Sequence, residues 1–475
     1  MSKPFYITTP IFYPNARPHL GHAYTATVAD ILARYHRTAG DEVYFLTGLD
    51  ENTEKVARAA RAVGQETGDY LNTVVNSFRD LFSGDKLNIS YEQFIRTSDE
   101  RVHWPGARAL WKRLADAGDL YTASYDGLYC VGHEAFITEK DLIDGKCPDH
   151  NEAPERLKEK NYFFRLSKYT AEIRKRIEND ELQIIPASRK NEILALLERG
   201  LEDVSFSRPA DKVSVGIPVP GDPSQRMYVW CDALANYISA LGFGRDDALY
   251  QKFWPADLHL IGKDILRFHA AIWPGMLLSA GLPLPKKILV HGFITSGGKK
   301  MSKTLGNVID PNVLVAEYGG EAVRWFLARH ISPFEDGDIT LEGFKDAYNA
   351  DLANGLGNLV ARIMQMSSSF LDVPVTLSDI REPLPLNQWL DKFEFNKAAL
   401  ALWSDITTLD EFIQEEKPFE VVQKNKIQAQ KQITYLVKEL DRIAVLLEPF
   451  MPTTSQKIKE AIKQNKKPEN LFPRK

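Results

Sequence analysis

An α/β architecture is expected for this chain, with a parallel sheet in the residues before about 346 and helices alone after them. Residues 5 to 47 alternate strand, helix and strand. Apolar, strand-like runs return at Met227–Val229, Leu258–Ile261 and Ile288–Val290, and from about Asp346 onward only helical periodicity remains. The opening run Phe5-Tyr6-Ile7-Thr8-Thr9 predicts a strand over Phe5–Thr9, closed by a Pro/Asn loop from Pro10 to Pro18. Tyr24, Val28, Ile31, Leu32 and Tyr35 then recur at helical spacing, predicting a helix over Gly21–Ala39. Val43–Thr47 is the second strand. Strand, helix and strand in this order imply a parallel pair with a right-handed crossover. Functional groups gather at the C-terminal ends of such strands, where His19 and Asp50 are expected to come together.

At 475 residues the chain exceeds one ordinary core, so two or more domains are expected. A hydrophobic content of 44% fits a packed protein rather than a disordered one. No apolar run approaches the roughly 20 residues that span a bilayer, and the start lacks a basic-then-apolar leader, so a cytoplasmic location is expected. Cys130, Cys147 and Cys231 do not make a disulfide framework. The net charge of −5 does not announce a nucleic-acid binder, but its distribution is uneven. Val421 to Lys475 holds 12 Lys/Arg against 5 Asp/Glu, a basic helical segment of the kind phosphate attracts, or else a solvated tail.

Two clusters carry the chemistry. His19-Leu20-Gly21-His22 opens the first helix, where unpaired backbone N–H groups and the helix dipole favour anions. Two imidazoles there can donate to phosphate, and Gly21 lets a base or ribose approach the backbone. Lys300-Met301-Ser302-Lys303-Thr304 follows the flexible Ser296-Gly297-Gly298. Two point charges on such a loop can close over a triphosphate and neutralise charge as pyrophosphate leaves. Together the clusters point to an enzyme that handles a nucleoside triphosphate. No G-x-G-x-x-G or G-x-x-x-x-G-K-[ST] follows the strands, which disfavours dinucleotide oxidoreductases and P-loop enzymes.

From about Ala117 to Gln225, short runs and Gly/Asp turns suggest an insertion between two halves of the sheet. It holds Cys130-x2-His133 and Cys147-x2-His150, thirteen residues apart, with Asp144-Gly145-Lys146 as a tight turn before the second pair. Two thiolates and two imidazoles make a full tetrahedral set for a structural zinc. The alternative is a knuckle that has lost its metal, with His133 a surface residue.

The clusters resemble the signatures of class I aminoacyl-tRNA synthetases. The runs Thr8-Thr9-Pro10-Ile11-Phe12-Tyr13-Pro14-Asn15, Leu46-Thr47-Gly48-Leu49-Asp50-Glu51, Tyr228-Val229-Trp230-Cys231-Asp232-Ala233 and Gly262-Lys263-Asp264-Ile265 resemble the bacterial methionyl-tRNA synthetases. The resemblance implies ligation of L-methionine to tRNA(Met), initiator included, through methionyl-adenylate, with ATP and Mg²⁺ as substrate and one structural Zn²⁺. It implies a Rossmann-like parallel-sheet catalytic domain in two halves, 1–116 and 226–345, a zinc-knuckle insertion over 117–225, and an all-α anticodon-binding bundle over 346–475. His19, His22, Lys300 and Lys303 become catalytic, and Gly21, Gly262, Asp264, Ser302 and Thr304 bind ATP. Asp50 takes the substrate ammonium. Ile11, Tyr13, Trp230, Ala233, Leu234, Tyr237, Ile265 and His269 line the side-chain pocket, with Tyr13 and His269 near the sulfur. By pattern alone Trp230 and Tyr237 serve equally well as core.

Asn354, Asn358 and Arg362 fall at i, i+4 and i+8 on one helix face and match the anticodon-reading segment. Without that match they are a solvated polar face. Phe419, in Lys417-Pro418-Phe419, stands where the family typically has Trp and is expected to stack on a base. Two other departures are Asn52-Thr53 in place of the usual His-Gly, and His133 where relatives commonly carry Cys. The insertion is too small for the editing domains of the leucine, isoleucine and valine enzymes. A sequence ending without an extra tRNA-binding module is expected to act as a monomer. A small-molecule nucleotidylyltransferase shares the first cluster, but the insertion, pocket aromatics and helical C-terminus argue against it. Intact His19, His22, Lys300 and Lys303 argue against a catalytically silent RNA-binding paralogue.

Overall fold

The structure, a computed structural model, describes residues 2–130, 135–137, 139–148, 151–213, 215–301, 307–377 and 386–475. The chain forms two compact units. One comprises Met1–Arg17, Gly40–Arg79 and Tyr91–Val290, and the other Pro18–Ala39, Asp80–Ser90 and His291–Lys475.

A six-stranded sheet organises the first unit. Its strands are β1 (Pro4–Phe12), β2 (Glu42–Leu49), β3 (Gln93–Arg96), β4 (Gln183–Ile185), β5 (Leu258–Gly262) and β6 (Lys287–His291), in the order β3-β2-β1-β5-β6-β4. β1 pairs in parallel with β2 and β5, β2 with β3, and β6 with β4. Tyr6, Ile7, Thr8 and Thr9 are wholly buried, as expected for a central strand covered on both faces. β1 runs three residues past the expected end at Thr9. Its register with β2 slips between Thr8 and Ile11, and Pro10 sits in that slip, where its missing N–H leaves no ladder bond unmade. Gly48 is needed in β2 because a Cβ there would lie 2.1 Å from the Ile95 carbonyl oxygen.

Between residues 117 and 225, Leu120–Cys130 pairs antiparallel with Ala135–Ile137 and Glu155–Phe164, and the latter with Val204–Ser205. β4 comes from the same stretch yet joins the parallel sheet; three residues are too few to show a period in the sequence. The expected strand at Met227–Val229 is corrected. The strand is Asp222–Met227, in a separate antiparallel sheet, and Val229–Leu234 is a helical turn. Tyr228, Val229, Trp230 and Cys231 are all buried, and such a continuous apolar run imitates a strand.

The second unit is mainly helical. α1 (Leu20–Thr38) begins one residue before its expected start and ends one residue short of the expected Ala39. Its Asp30 is fully buried and ion-paired with the equally buried Arg324 at 2.7 Å, whose other hydrogens go to the carbonyls of Leu87, Pro449 and Phe450. Burial alone would raise the Asp30 carboxyl, but Arg324, Arg34 and Ser90 together hold it below the ordinary carboxylate value. Removing one partner of such a pair costs about 3–5 kcal/mol. From Leu341 onward the described residues are helical or connecting. Ile433, Leu436, Val437, Leu440, Ile443 and Ala444 form the buried stripe of the helix Lys426–Leu447. The loop expected at Glu382-Pro383-Leu384-Pro385 lies outside the described residues. Among those described, no helix is long and apolar enough to cross a membrane.

Candidate active site

In the first unit the expected pocket residues assemble at the C-terminal ends of β1, β2 and β5. The Asp50 N–H donates to the Phe12 carbonyl at 2.8 Å, joining the two strand ends that carry Ile11, Tyr13 and Asp50. Trp230, Leu234 and Tyr237 belong to one buried cluster, against which Ile11, Tyr13 and Ile265 pack as partly buried side chains. Ala233 is buried beside them in sequence. The Lys55 ammonium sits 3.9 Å above the Tyr13 ring. Phe268, which sequence reasoning missed, stacks on Trp230 with ring centroids 3.5 Å apart and planes 8° from parallel. Its only signal was adjacency to His269.

The protons of Tyr237 and His269 are fixed by their partners. His269 Nδ1 lies 2.9 Å from the Ile265 carbonyl oxygen, which can only accept, so the proton sits on Nδ1. Nε2 therefore accepts from the Tyr237 hydroxyl at 2.7 Å. Burial lowers His269 from 6.5 to about 4, so the ring stays neutral, and burial likewise pushes the Tyr237 phenol up. Both His269 nitrogens are thus engaged within the protein. A sulfur contact from His269 would have to come through the ring edge or through Tyr237, not from a nitrogen. His259 repeats the pattern: Trp273 Nε1–H donates to its Nε2 at 3.3 Å, so Nδ1–H donates to Thr8 Oγ1 at 2.8 Å.

Gly262 starts the turn after β5, and Asp264, one residue into its 3-10 helix, is exposed. Around the departure at Asn52, a polar network joins Asp50, Asn52, Thr97, Asp232 and His103. Of these, only Asp50 was expected as a site residue. Thr53, the other departing residue, caps the helix Glu54–Ala62 by accepting from the Lys55 N–H at 3.0 Å.

In the second unit, His19 is the N-cap of α1. Its Nδ1 accepts from the Gly21 N–H at 3.0 Å, while His22 Nδ1 accepts from the His19 N–H at 3.1 Å. The rings stack with centroids 3.8 Å apart. This is a reciprocal capping box made with two imidazoles. A ring accepting through Nδ1 carries its proton on Nε2, which makes that nitrogen a donor suited to phosphate. Burial, then the neighbouring His19, holds His22 well below 6.5. Gly21 leaves room for a ring rather than for a base alone, since a Cβ there would lie 2.9 Å from His19 Cε1. His291, at the end of β6, lies 2.9 Å from Thr25 Oγ1, and Thr25 also donates to the Gly21 carbonyl. A histidine and glycine at a strand's C-terminal end were the signal that could have found it.

Lys300 ends a hairpin in which Ser296 pairs with Lys299 and Thr295 with Lys300. Gly297 and Gly298, at φ 62° and 73°, make its left-handed turn. Ser302, Lys303 and Thr304 lie outside the described residues, as do His133 and His150. Cys130 ends the strand Leu120–Cys130. The Cys147 N–H donates to the Glu152 carbonyl at 2.9 Å, and its own carbonyl accepts from Asn151 at 2.8 Å. Both thiols are buried, and the predicted turn is present, with Asp144 and Gly145 at φ 50° and 74°. No group of three or more metal-binding side chains occurs among the described residues, which leave out His133 and His150.

At the C-terminal end, Asn358 and Arg362 lie on the helix Asn358–Phe370, but Asn354 lies in a π-helix, Tyr348–Gly357. The uninterrupted α-helical face expected for all three is corrected, because a π-turn changes the angular step between residues. Asn354 and Asn358 are exposed. Arg362 is paired with Asp410, which also accepts from Gln414. Phe419 is exposed in the short helix Pro418–Val421, behind a left-handed Lys417.

The family model described as tRNA synthetases class I (M) matches residues 5–156 and 141–364, and that for the anticodon binding domain of methionyl tRNA ligase matches 378–472. The methionine–tRNA ligase of Caldanaerobacter subterraneus subsp. tengcongensis is 41% identical over 97% of this chain and 74% of its own. That of Clostridium acetobutylicum is 42% identical over 96% and 73%. The structure is similar to Mycobacterium tuberculosis methionyl-tRNA synthetase in complex with methionyl-adenylate, with a TM-score of 0.90 and 36% identity over 96% of this chain and 93% of that one. The apo form of the enzyme from that organism gives a TM-score of 0.82 at 32% identity, over 100% and 99%.

Proposed function

The chain belongs to the class I methionyl-tRNA synthetases, and from that membership we propose that it joins L-methionine to tRNA(Met), initiator tRNA included, in two ATP-dependent steps. The methionine carboxylate attacks the α-phosphate of ATP, giving methionyl-adenylate and pyrophosphate. The terminal adenosine hydroxyl of the tRNA then attacks the adenylate carbonyl and releases AMP. No side chain forms a covalent intermediate; positioning and charge stabilisation supply the rate.

The observation that carries this reading is the neutral, internally bonded Tyr237–His269 pair beside the Trp230–Phe268 stack. It offers an apolar slot for a flexible thioether, with the Asp50 carboxylate at the neighbouring strand end for the ammonium. His19 and His22 donate to phosphate through Nε2. Lys300 and Lys303 neutralise the departing pyrophosphate, with Gly21, Gly262, Asp264, Ser302 and Thr304 holding ATP, which Mg²⁺ accompanies. Residues 1–116 and 226–345 form the catalytic domain, 117–225 the insertion, and 346–475 the anticodon-binding bundle. There Asn354, Asn358 and Arg362 read loop bases and Phe419 stacks. Cys130, His133, Cys147 and His150 hold one structural zinc that stiffens the insertion. The chain works as a monomer in the cytoplasm, where its tRNA is found.

Methionine-dependent exchange of pyrophosphate into ATP tests the function. Exchange is expected with methionine and not with isoleucine, leucine or valine; its absence would overturn the reading. Elemental analysis of protein purified without added metal is expected to give one zinc per chain, and none would favour the knuckle without metal.

A further inference from the structure

A buried polar chain runs behind the pocket from Ser239 to Thr97. His103 and Asp232 are both wholly inaccessible, and His103 Nε2–H donates to Asp232 Oδ1 at 2.5 Å, with Ser239 Oγ 2.8 Å from Nδ1. The other carboxylate oxygen, Oδ2, accepts from Asn52 Nδ2 at 2.8 Å. The second hydrogen of that amide goes to the Thr97 carbonyl at 2.9 Å. The Thr97 hydroxyl accepts from the Glu51 N–H at 2.8 Å and donates toward Asp50 Oδ1 at 3.4 Å. Asp232 lies on the turn Val229–Leu234, between Trp230 and Ala233, and Asn52 lies two residues beyond Asp50. One carboxylate therefore ties the aromatic wall of the pocket to the segment that carries its charged end.

A buried charge contributes little net stability compared with an apolar filling, but it fixes geometry, because each oxygen requires its own donor. Asn52 is suited to this joint: its two N–H groups span Asp232 and the Thr97 carbonyl at once. The donor to Asp232 is thus an amide that is itself held on its other hydrogen. We propose that Asn52 and His103 are positioning residues for methionine selection, acting through the two oxygens of Asp232 to set Trp230 and Ala233 relative to Asp50. This rests on the assignment of the pocket to methionine.

The test uses the full chain in the exchange assay, with KM for methionine and for ATP measured for the wild type, Asn52→Ala and Asn52→His, and thermal melts of each. Asn52→Ala is expected to raise KM for methionine about ten-fold, the value of one hydrogen bond to a charged group, and to narrow discrimination against homocysteine. KM for ATP should stay within about two-fold, since a lost positioning bond acts on one substrate. Asn52→His, which restores an N–H toward Asp232, should recover most of the loss. An unchanged KM for methionine, parallel rises in both KM values with a lowered Tm, or no recovery in Asn52→His would each overturn the proposal. A wild-type chain without methionine-dependent exchange would overturn the pocket assignment itself, an outcome visible before any variant is compared.

Discussion

Around Tyr237 the polar groups are buried and their protons fixed, whereas around Arg362 they stand at the surface and one is held by a neighbouring anion. Tyr237 and His269 are 1% and 2% exposed, and each bonds another group of the protein. Asn358 is exposed, and the Arg362 guanidinium, about one-third exposed, is paired with Asp410. A small apolar ligand is told from its neighbours by shape, which rigid burial supplies during folding. Unstacked bases are told apart by donors and acceptors that must reach them, so side chains that read bases have to stand at the surface.

If that contrast is right, changes in the pocket disturb the first chemical step, and changes on the helix face disturb only the step that needs tRNA. Asp50→Ala should have the largest effect, weakening methionine binding and adenylation together by about two decades in kcat/KM, the scale for stranding a charged partner. Wild-type exchange kinetics would show that Asp50 faces elsewhere. Arg362→Ala should lower tRNA aminoacylation by about one to two decades, the value of a bidentate base contact, while exchange stays intact. Equal loss in both assays would erase the contrast.

The pocket also carries a pH signature. His269 is lowered from 6.5 to about 4, so between those values the unfolded chain binds the extra proton. Its contribution to stability is complete above about 6.5 and is lost as pH falls toward 4, with a slope of at most about 1.4 kcal/mol per pH unit. Urea unfolding at several pH values should show a shallower acid slope for His269→Gln than for the wild type; equal slopes would mean that the ring is not held neutral. The smallest effect belongs to Asp410→Asn. Exposed pairs are worth at most about 1 kcal/mol, so freeing Arg362 should raise kcat/KM for tRNA by no more than about five-fold. A decrease would show that Asp410 aims the guanidinium instead of competing for it.

Local pattern made the first strand–helix–strand and the helix start at His19–His22 legible, because each is set by residues close in sequence. The end of β1 was not, since only the paired strand reveals that Pro10 lies in a register slip. Val229–Leu234 was misread because burial on all sides removes the polar residues that mark a helical period. The Asp232–His103 contact joins residues 129 apart, and Arg362–Asp410 residues 48 apart. Neither type nor spacing announces such pairs. Asn52 was visible as a departure, but its partner was not.

The cap of α1 ties the fraying of a helix to the charge on two rings. An Nδ1 that accepts a backbone N–H must be bare, so protonating either ring turns an acceptor into a donor and strands the amide of Gly21 or His19. Acid therefore acts on the first turn through these two acceptors. Because His22 is held below its ordinary value, its Nδ1 keeps accepting the His19 amide well under neutrality. With each Nδ1 accepting a backbone N–H, the proton of each ring stands on Nε2 and the first turn is closed by the rings themselves.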